Sequence, residues 1–275
     1  RNAYVRTLDR WIPYPFQNNI RYLPEPERLE CLEGLRKAQA LASQPSPGNF
    51  QEWIDRFAGD GIARLFLNPY NRKVWAYPPA EMSAHWLGER VARPDIAKIE
   101  RSINSRSDDV NWGPNARFRF PRQGGTGQIW RNLAARLPAD KVHYGCRLTA
   151  VDMDRRTVSF QSGREESYDC LVTTIPLDEL ARLTRWSGIR EAKQLVHNSV
   201  HVVGAGFKGS LPPEATNKTW MYFPEPSVPF YRGTVFSNYS AHSTPAGCYS
   251  LMAEVAEAPV TPVVREGLID RCVEG

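Results

Sequence analysis

No apolar stretch in this chain approaches the length of a membrane span, and no signal-peptide pattern opens it. The expectation is a cytoplasmic protein without a membrane span. Cysteine is sparse, with five (Cys31, Cys146, Cys170, Cys248 and Cys272) and no Cys-x-x-Cys among them. An odd, widely spaced set argues against a disulfide framework and predicts reduced, mostly buried thiols. Five scattered histidines offer no metal-ligand spacing, so no metal site is expected. Internal repeats and low-complexity runs are also missing. Neither sign of charge dominates: 35 Lys and Arg against 30 Asp and Glu leave a net charge of +5. That is too mild to imply nucleic acid as a partner.

What the chain does have is aromatic residues, including eight tryptophans, in number enough for large cores or ring-lined pockets. Its length suits two compact domains, or one large domain carrying an insertion. It begins at Arg1 and ends at Gly275, and is expected to be a piece of something longer.

The stretch from Asn111 to Trp130 organises the reading. Gly124, Gly125 and Gly127, with Thr126 between them, directly precede a helical pattern, Ile129, Leu133 and Leu137. Glycines there let backbone N–H groups approach a ligand, and a helix start favours negative charge, so an anion or dinucleotide cradle is one reading. A flexible loop capping a surface helix is the plain alternative. Positive charge interleaved with aromatics from Arg117 to Arg131 would suit a phosphate-bearing small molecule.

Residues 1–22 alternate and then run into Trp11-Ile12-Pro13-Tyr14-Pro15-Phe16-Gln17-Asn18-Asn19, an edge strand leaving its sheet. Tyr14 and Phe16 share a face of an extended segment. They are either core aromatics or a stacking platform for a base, with Gln17 reading its polar edge. Leu29, Leu32, Leu35, Ala38 and Leu41 predict a helix ending before Pro45. A second helix is expected from about Phe50, capped by Asn49. Gly59 and Gly61 should break it before Ile62–Leu67 resumes. Pro69 should then push Asn68 out of the helical region and make a corner. Asn71 and Trp75 stack one above the other if a helical turn reforms there. A further helix is expected over 80–87, and over 92–109 a polar surface loop, either an ordinary linker or a mobile lid.

After the organising stretch, residues 141–144, 147–152 and 157–161 read as strands, and 168–176 as a buried strand ending at Pro176. A helix follows over 177–195, with Leu180, Leu183 and Trp186 on one face. Segments 199–207, 219–223, 230–236 and 249–255 read as strands of an antiparallel sheet. Arg232, a lone cation on an aromatic-rich strand, either sits at a rim or awaits a phosphate or carboxylate, because burying it unpaired is costly.

Trp11 to Asn19, Pro69-Tyr70-Asn71-Arg72-Lys73-Val74-Trp75-Ala76, Trp86-Leu87-Gly88-Glu89-Arg90-Val91-Ala92, Asn111-Trp112-Gly113-Pro114-Asn115 and Phe230-Tyr231-Arg232 together resemble the UDP-galactopyranose mutase family, most closely its eukaryotic branch. The resemblance implies a mixed α/β (α+β) fold. Residues 111–176 would be part of a Rossmann-like FAD domain, 23–110 an all-helical insertion, and 1–22 with 177–275 an antiparallel-sheet substrate domain. It implies an isomerase for UDP-galactopyranose and UDP-galactofuranose, working through a sugar carried on N5 of reduced FAD, with NADPH as reductant. Galactofuranose use in cell wall biosynthesis goes with that activity. Oligomeric state stays open, a homo-oligomer included.

By matching position, the resemblance implies that Tyr14 stacks on uracil, with Phe16 beside it and Gln17 on the base edge. Asn71 and Trp75 would line the uridine pocket. Arg232, with the hydroxyls of Tyr222 and Tyr239, would clamp the diphosphate. Arg90, held by Asn115, would lie near flavin and galactose; Arg90, Asn115 and Arg232 form the expected catalytic set. Gly124, Gly125, Thr126 and Gly127 would sit against the flavin, and Val151 near the adenine. The Gly-x-Gly-x-x-Gly fingerprint that family members carry near their start is absent here, as are a flavin-touching histidine loop and a C-terminal phosphate-binding segment. The expectation is therefore that this stretch alone binds FAD poorly and does not turn over. Two other readings remain: an FAD-dependent oxidase of the amine-oxidase or protoporphyrinogen-oxidase kind, and a non-catalytic nucleotide-sugar-binding module.

Overall fold

A computed structural model describes residues 2–40, 46–87, 91–110, 113, 117–185 and 191–275. By internal contacts the chain divides into two units, residues 1–128 with 198–275, and residues 129–197.

The first unit is built on a six-stranded sheet in the order β2-β1-β7-β8-β9-β6. Its strands are β1 (Ala3–Thr7), β2 (Arg10–Pro13), β6 (Ser199–Lys208), β7 (Trp220–Tyr222), β8 (Arg232–Val235) and β9 (Cys248–Glu257). β2 is at an edge, consistent with Pro13, which has no N–H for a second ladder. The sheet is not wholly antiparallel: β1 runs parallel to β7, pairing Ala3 with Trp220 and Val5 with Tyr222. The remaining ladders, β1–β2, β7–β8, β8–β9 and β9–β6, are antiparallel.

Helices α1 (Glu25–Ala40), α2 (Phe50–Ile62), α3 (Asn68–Trp75) and α4 (Ile96–Ser105) belong to the same unit. The α1 stripe buries Leu32, Leu35 and Ala38 but leaves Leu29 exposed; Cys31 and Gly34 complete the buried face. The Asn49 side chain caps α2, accepting from the Glu52 amide at 2.9 Å. Gly59 kinks α2 at φ +69 but does not end it. A Cβ there would lie 2.2 Å from the Gly34 carbonyl, so the glycine also lets α1 and α2 touch backbone to backbone.

The expected corner at Pro69 is absent. Residues Ala63–Leu67 form a π-helical turn, Asn68 keeps helical angles (φ −67, ψ −55), and Pro69 falls in the first turn of α3, where its missing N–H costs nothing. The helix expected over 80–87 shrinks to one 3-10 turn, Pro79–Glu81. The loop expected over 92–109 contains α4, capped by Asp95 accepting from the Lys98 amide at 3.0 Å. Ile96, Ile99 and Ile103, spaced three and four apart, turn α4 into the core. That core gathers Val5, Ile12, Phe16 and Ile20 with Ile54, Ile62, Phe66 and Leu87.

Helix α5 (Gly125–Ala134) begins at the glycines themselves and runs from the first unit into the second, which starts at Ile129. The second unit also holds a three-stranded sheet, β3 (Leu148–Asp152), β4 (Thr157–Phe160) and β5 (Glu165–Ser167), and helix α6 (Leu177–Thr184). Val151, Val158 and Leu183 are its buried centre. So α6, grouped with the large sheet on sequence grounds, packs against the small one. Residues 141–144 and 168–176 are not strands; the latter lacks a ladder partner among the described residues, and Val172 is 88% exposed. Trp186 lies outside the described residues. Of the thiols only Cys31 is buried, its pKa raised to about 12 by burial, while Cys146 and Cys170 are exposed, against expectation. No helix among the described residues is long and apolar enough to cross a membrane.

Candidate functional site

Where β1, β7 and β8 run side by side, aromatic rings meet in sequence. Tyr14 leaves β2 with its amide bonded to the Ala3 carbonyl at 2.9 Å, and its ring meets Tyr222 edge-on at 5.4 Å. Tyr222 meets Tyr70 of α3 edge-on at 5.2 Å. Tyr70 stacks on Phe66 at 5.1 Å, and Phe66 on Phe16 at 5.0 Å. Phe16 is thus fully buried and backs the cluster without presenting a face of its own. Gln17 is also buried, donating from Nε2 to the Ala92 carbonyl at 2.7 Å.

Arg232 stands directly across the β7–β8 ladder from Tyr222. The carboxylate it awaited is the chain's own. Nε donates to Oε1 of Glu254 at 3.0 Å, and Nη2 to Oε1 and Oε2 at 2.6 and 2.7 Å. The Trp220 ring lies 5.6 Å from the guanidinium carbon. Phe118 stacks parallel on Trp220 at 5.9 Å and also meets Tyr239 at 5.4 Å. Tyr14 and Tyr222 thus touch on one side, Arg232, Trp220, Phe118 and Tyr239 are joined by consecutive contacts on the other, and the two sets meet at the Tyr222–Arg232 ladder pair. Burial, then the neighbouring Tyr222 phenol, pushes the Tyr70 pKa well above the usual phenol value, so its hydroxyl keeps its proton. Burial alone would lower the Arg232 pKa, but Glu254 raises it further, fixing the positive charge.

α3 also carries Asn71 and Trp75. Asn71 Nδ2 donates to the Leu67 carbonyl at 2.8 Å. Trp75 meets Trp86 edge-on at 5.1 Å, and its buried Nε1 has no hydrogen-bond partner among the described residues. Its ring contact is with Trp86, and it packs on the same core cluster as Tyr14 and Tyr222. Between them, Lys73 donates to the carbonyls of Phe223, Glu225 and Val228, each at 2.9 Å. One ammonium thereby ties α3 to the β7–β8 connection, whose ends are Tyr222 and Arg232.

Arg90 and Asn115 lie outside the described residues. Gly124 and Gly125 have φ of +75 and +62, and a Cβ on Gly125 would meet nothing within 4 Å. A Cβ on Gly124 would instead meet the Gln128 side chain at 2.7 Å, so the open backbone is that of Gly125, next to the exposed Thr126, and this short stretch would fit against one face of a planar ligand such as a flavin. The Val151 side chain is buried under Leu183 in the second unit. The literal Gly-x-Gly-x-x-Gly of this chain, Gly204 to Gly209, runs along β6 in register with β9 up to Lys208, with Gly209 just past the strand's end; it is a strand, not a phosphate cradle.

Sequence reasoning missed Tyr70, Trp220, Tyr231 and Glu254. Glu254 had a signal: it is the one acid between apolar neighbours in Leu251–Ala256, a natural partner for a lone arginine on another strand.

Helices packed on a six-stranded mixed sheet, with a separate three-stranded sheet, make a mixed α/β fold. The profile of the flavin containing amine oxidoreductase family matches residues 7–262, and the chain belongs to that family. Among solved structures it is similar to a reduced UDP-galactopyranose mutase, at 45% sequence identity and a TM-score of 0.95. That match covers 99% of this chain and 61% of the mutase, so the chain spans under two thirds of that protein's length. A protoporphyrinogen-oxidase-type protein from Exiguobacterium shares the fold at a TM-score of 0.70, with 17% identity over 100% of this chain and 63% of that one.

Proposed function

We propose that this chain is the nucleotide-sugar-recognising part of a flavin-dependent isomerase that interconverts UDP-galactopyranose and UDP-galactofuranose. The observation that carries the reading is Arg232, a guanidinium fixed by Glu254 across the ladder from Tyr222, which in turn meets Tyr14 and Tyr70, in a chain 45% identical to a mutase of that name. When bound, reduced FAD would supply a nucleophilic N5 for exchange at the anomeric carbon, with NADPH as the reductant.

This chain's residues would do the holding. Tyr14 would take the uracil on its ring, and Gln17 would reach the base edge on releasing the Ala92 carbonyl that its amide now meets. Phe16, being buried, would support Tyr14 and Tyr222 through Phe66 and Tyr70. Asn71 and Trp75 would line the uridine side, where the unpartnered Trp75 Nε1 is a donor in waiting. Arg232 would meet the diphosphate with the hydroxyls of Tyr222 and Tyr239, and its charge would matter most as UDP departs. Arg90 and Asn115 would act near the sugar. Gly124 to Gly127 would lie against the flavin, and Val151 would contribute near the adenine. In this reading 23–110 is a helical insertion, 111–176 with α6 belongs to the flavin part, and β1, β2 and 198–275 form the sheet domain. The chain alone would bind FAD poorly and not turn over, and the full-length protein would be cytoplasmic.

The test is incubation of dithionite-reduced full-length protein with UDP-galactofuranose, followed by chromatography. UDP-galactopyranose should accumulate. Flavin reduction by an amine or porphyrinogen substrate, without sugar conversion, would favour the oxidase reading that the family description also accommodates.

A further inference from the structure

We propose that Glu254, held by Tyr231, is a positioning residue that decides which edge of Arg232 faces the diphosphate; this rests on the reading of the site given above. Arg232 and Glu254 are direct partners in the β8–β9 ladder, so the pair is built into the strand register. The carboxylate occupies the whole Nε–Nη2 edge of the guanidinium. Nη1 makes no hydrogen bond within the described residues and is the free end. Side-chain exposure is 7% for Glu254 and 32% for Arg232, so the carboxylate is sealed while the guanidinium reaches outward.

The carboxylate is itself fixed. The Tyr231 hydroxyl donates to Oε2 at 2.6 Å, while the rings of Trp220 and Tyr231, 5.6 and 5.9 Å from the guanidinium carbon, limit its tilt. Burial, then the Glu254 hydrogen bond, raises the Tyr231 pKa, so that donor persists across the working pH range. A buried ion pair of this kind is a poor source of stability, because desolvation offsets attraction. What it supplies is direction. The pair is close to neutral, so it attracts a diphosphate weakly at long range but presents Nη1 in a single orientation. An unpaired arginine would do the reverse, attracting strongly and pointing loosely.

The experiment uses the full-length, flavin-loaded protein, with UDP affinity by calorimetry, turnover of UDP-galactofuranose, and the nitrogen-15 spectrum of the Arg232 guanidinium. The Glu254→Gln variant keeps the shape and removes the charge. Its UDP affinity should stay within about threefold of the parent at low salt and weaken more steeply as salt is added. Its kcat should fall at least about thirtyfold, the loss of an aimed charge at a developing anion. Separate, slowly rotating Nη signals should mark the parent and collapse in Glu254→Gln. Tyr231→Phe should keep those signals and lose roughly fivefold in kcat, about one hydrogen bond.

Turnover of Glu254→Gln within threefold of the parent would overturn the proposal, as would a parallel loss of kcat and affinity with the slow signals retained. If Glu254→Gln does not fold, an averaged Arg232 signal in the parent, or unchanged kcat in Tyr231→Phe, overturns it equally. Failure of the parent to bind UDP would instead sink the reading of the site, and this proposal with it.

Discussion

The two units bury their apolar residues very differently. In the first, helices lie over the sheet, and Phe16, Ile12, Ile20 and Ile54 are wholly buried. In the second, the buried centre is Val151, Val158 and Leu183, while Trp130 is 67% exposed, Tyr144 82% and Val172 88%. A three-stranded sheet with one helix on it has too few layers to cover its own apolar side chains. The lesson concerns function as much as stability. Side chains of the proposed uridine diphosphate site stand on the well-buried unit, so their placement rests on packing within this chain. Of the residues proposed for the flavin, residues 124–127 lie at the end of the first unit's leading segment, where the chain is largely exposed, and Val151 lies in the buried centre of the second.

The contrast can be broken with paired glycines. Gly59 and Gly163 both have positive φ, +69 and +83, but only Gly59 has backbone 2.2 Å from a would-be Cβ, whereas nothing lies within 4 Å at Gly163. Gly59→Ala should cost about 3–5 kcal/mol, strain plus overpacking. Gly163→Ala should cost about 1–2 kcal/mol from strain alone. Denaturant unfolding measures both, and equal costs would mean α1 and α2 can yield.

Next in size is the buried pair. Arg232→Ala leaves the Glu254 carboxylate sealed without a guanidinium and should destabilise by about 2–4 kcal/mol. Arg36→Ala, which removes an exposed pair with Glu100 at 2.6 Å, should cost under about 1 kcal/mol. Lys73→Met orphans the three carbonyls and should cost roughly 1–3 kcal/mol, with Lys73→Arg recovering little because its planar fork cannot meet all three.

Burial also pushes the Lys73 pKa down to about 8, with Glu225 opposing. Its folded value lies below its unfolded one, so between them the unfolded chain binds more protons, and stability contributed by this group rises with pH. That contribution is present above the unfolded pKa and is lost as pH falls through about 8. The stability difference between parent and Lys73→Met should therefore widen as pH rises across that window. A flat difference in urea midpoints would contradict it. Smallest of all, Val172→Ser should change stability by under about 0.5 kcal/mol while lowering binding of an apolar dye.

Much of the sheet was legible because alternation and prolines act locally: β6 to β9, and β2 at an edge, follow from Val, Phe, Tyr and Pro placement. The parallel β1–β7 ladder was not, since pairing partners far apart in sequence leave no local mark. Pro69 was misread because its effect depends on where the preceding helix ends, and a π turn moved that point. Helix α4 hid behind polar residues, although Asp95 and three isoleucines carried its cap and face. Within the site, Tyr14 and Arg232 were readable as motif residues, and Tyr222 from its place on an aromatic strand. Tyr70 sat inside a quoted motif without a role, and Glu254 in none, because their importance comes from which strand or helix they face.

The claim on which most depends is that Arg232 receives the diphosphate of a uridine nucleotide. Calorimetric titration of UDP into the full-length protein and into Arg232→Ala tests it most directly. The account predicts a loss of roughly thirtyfold or more, about 2 kcal/mol at least. A change smaller than about threefold, under 1 kcal/mol, would contradict it.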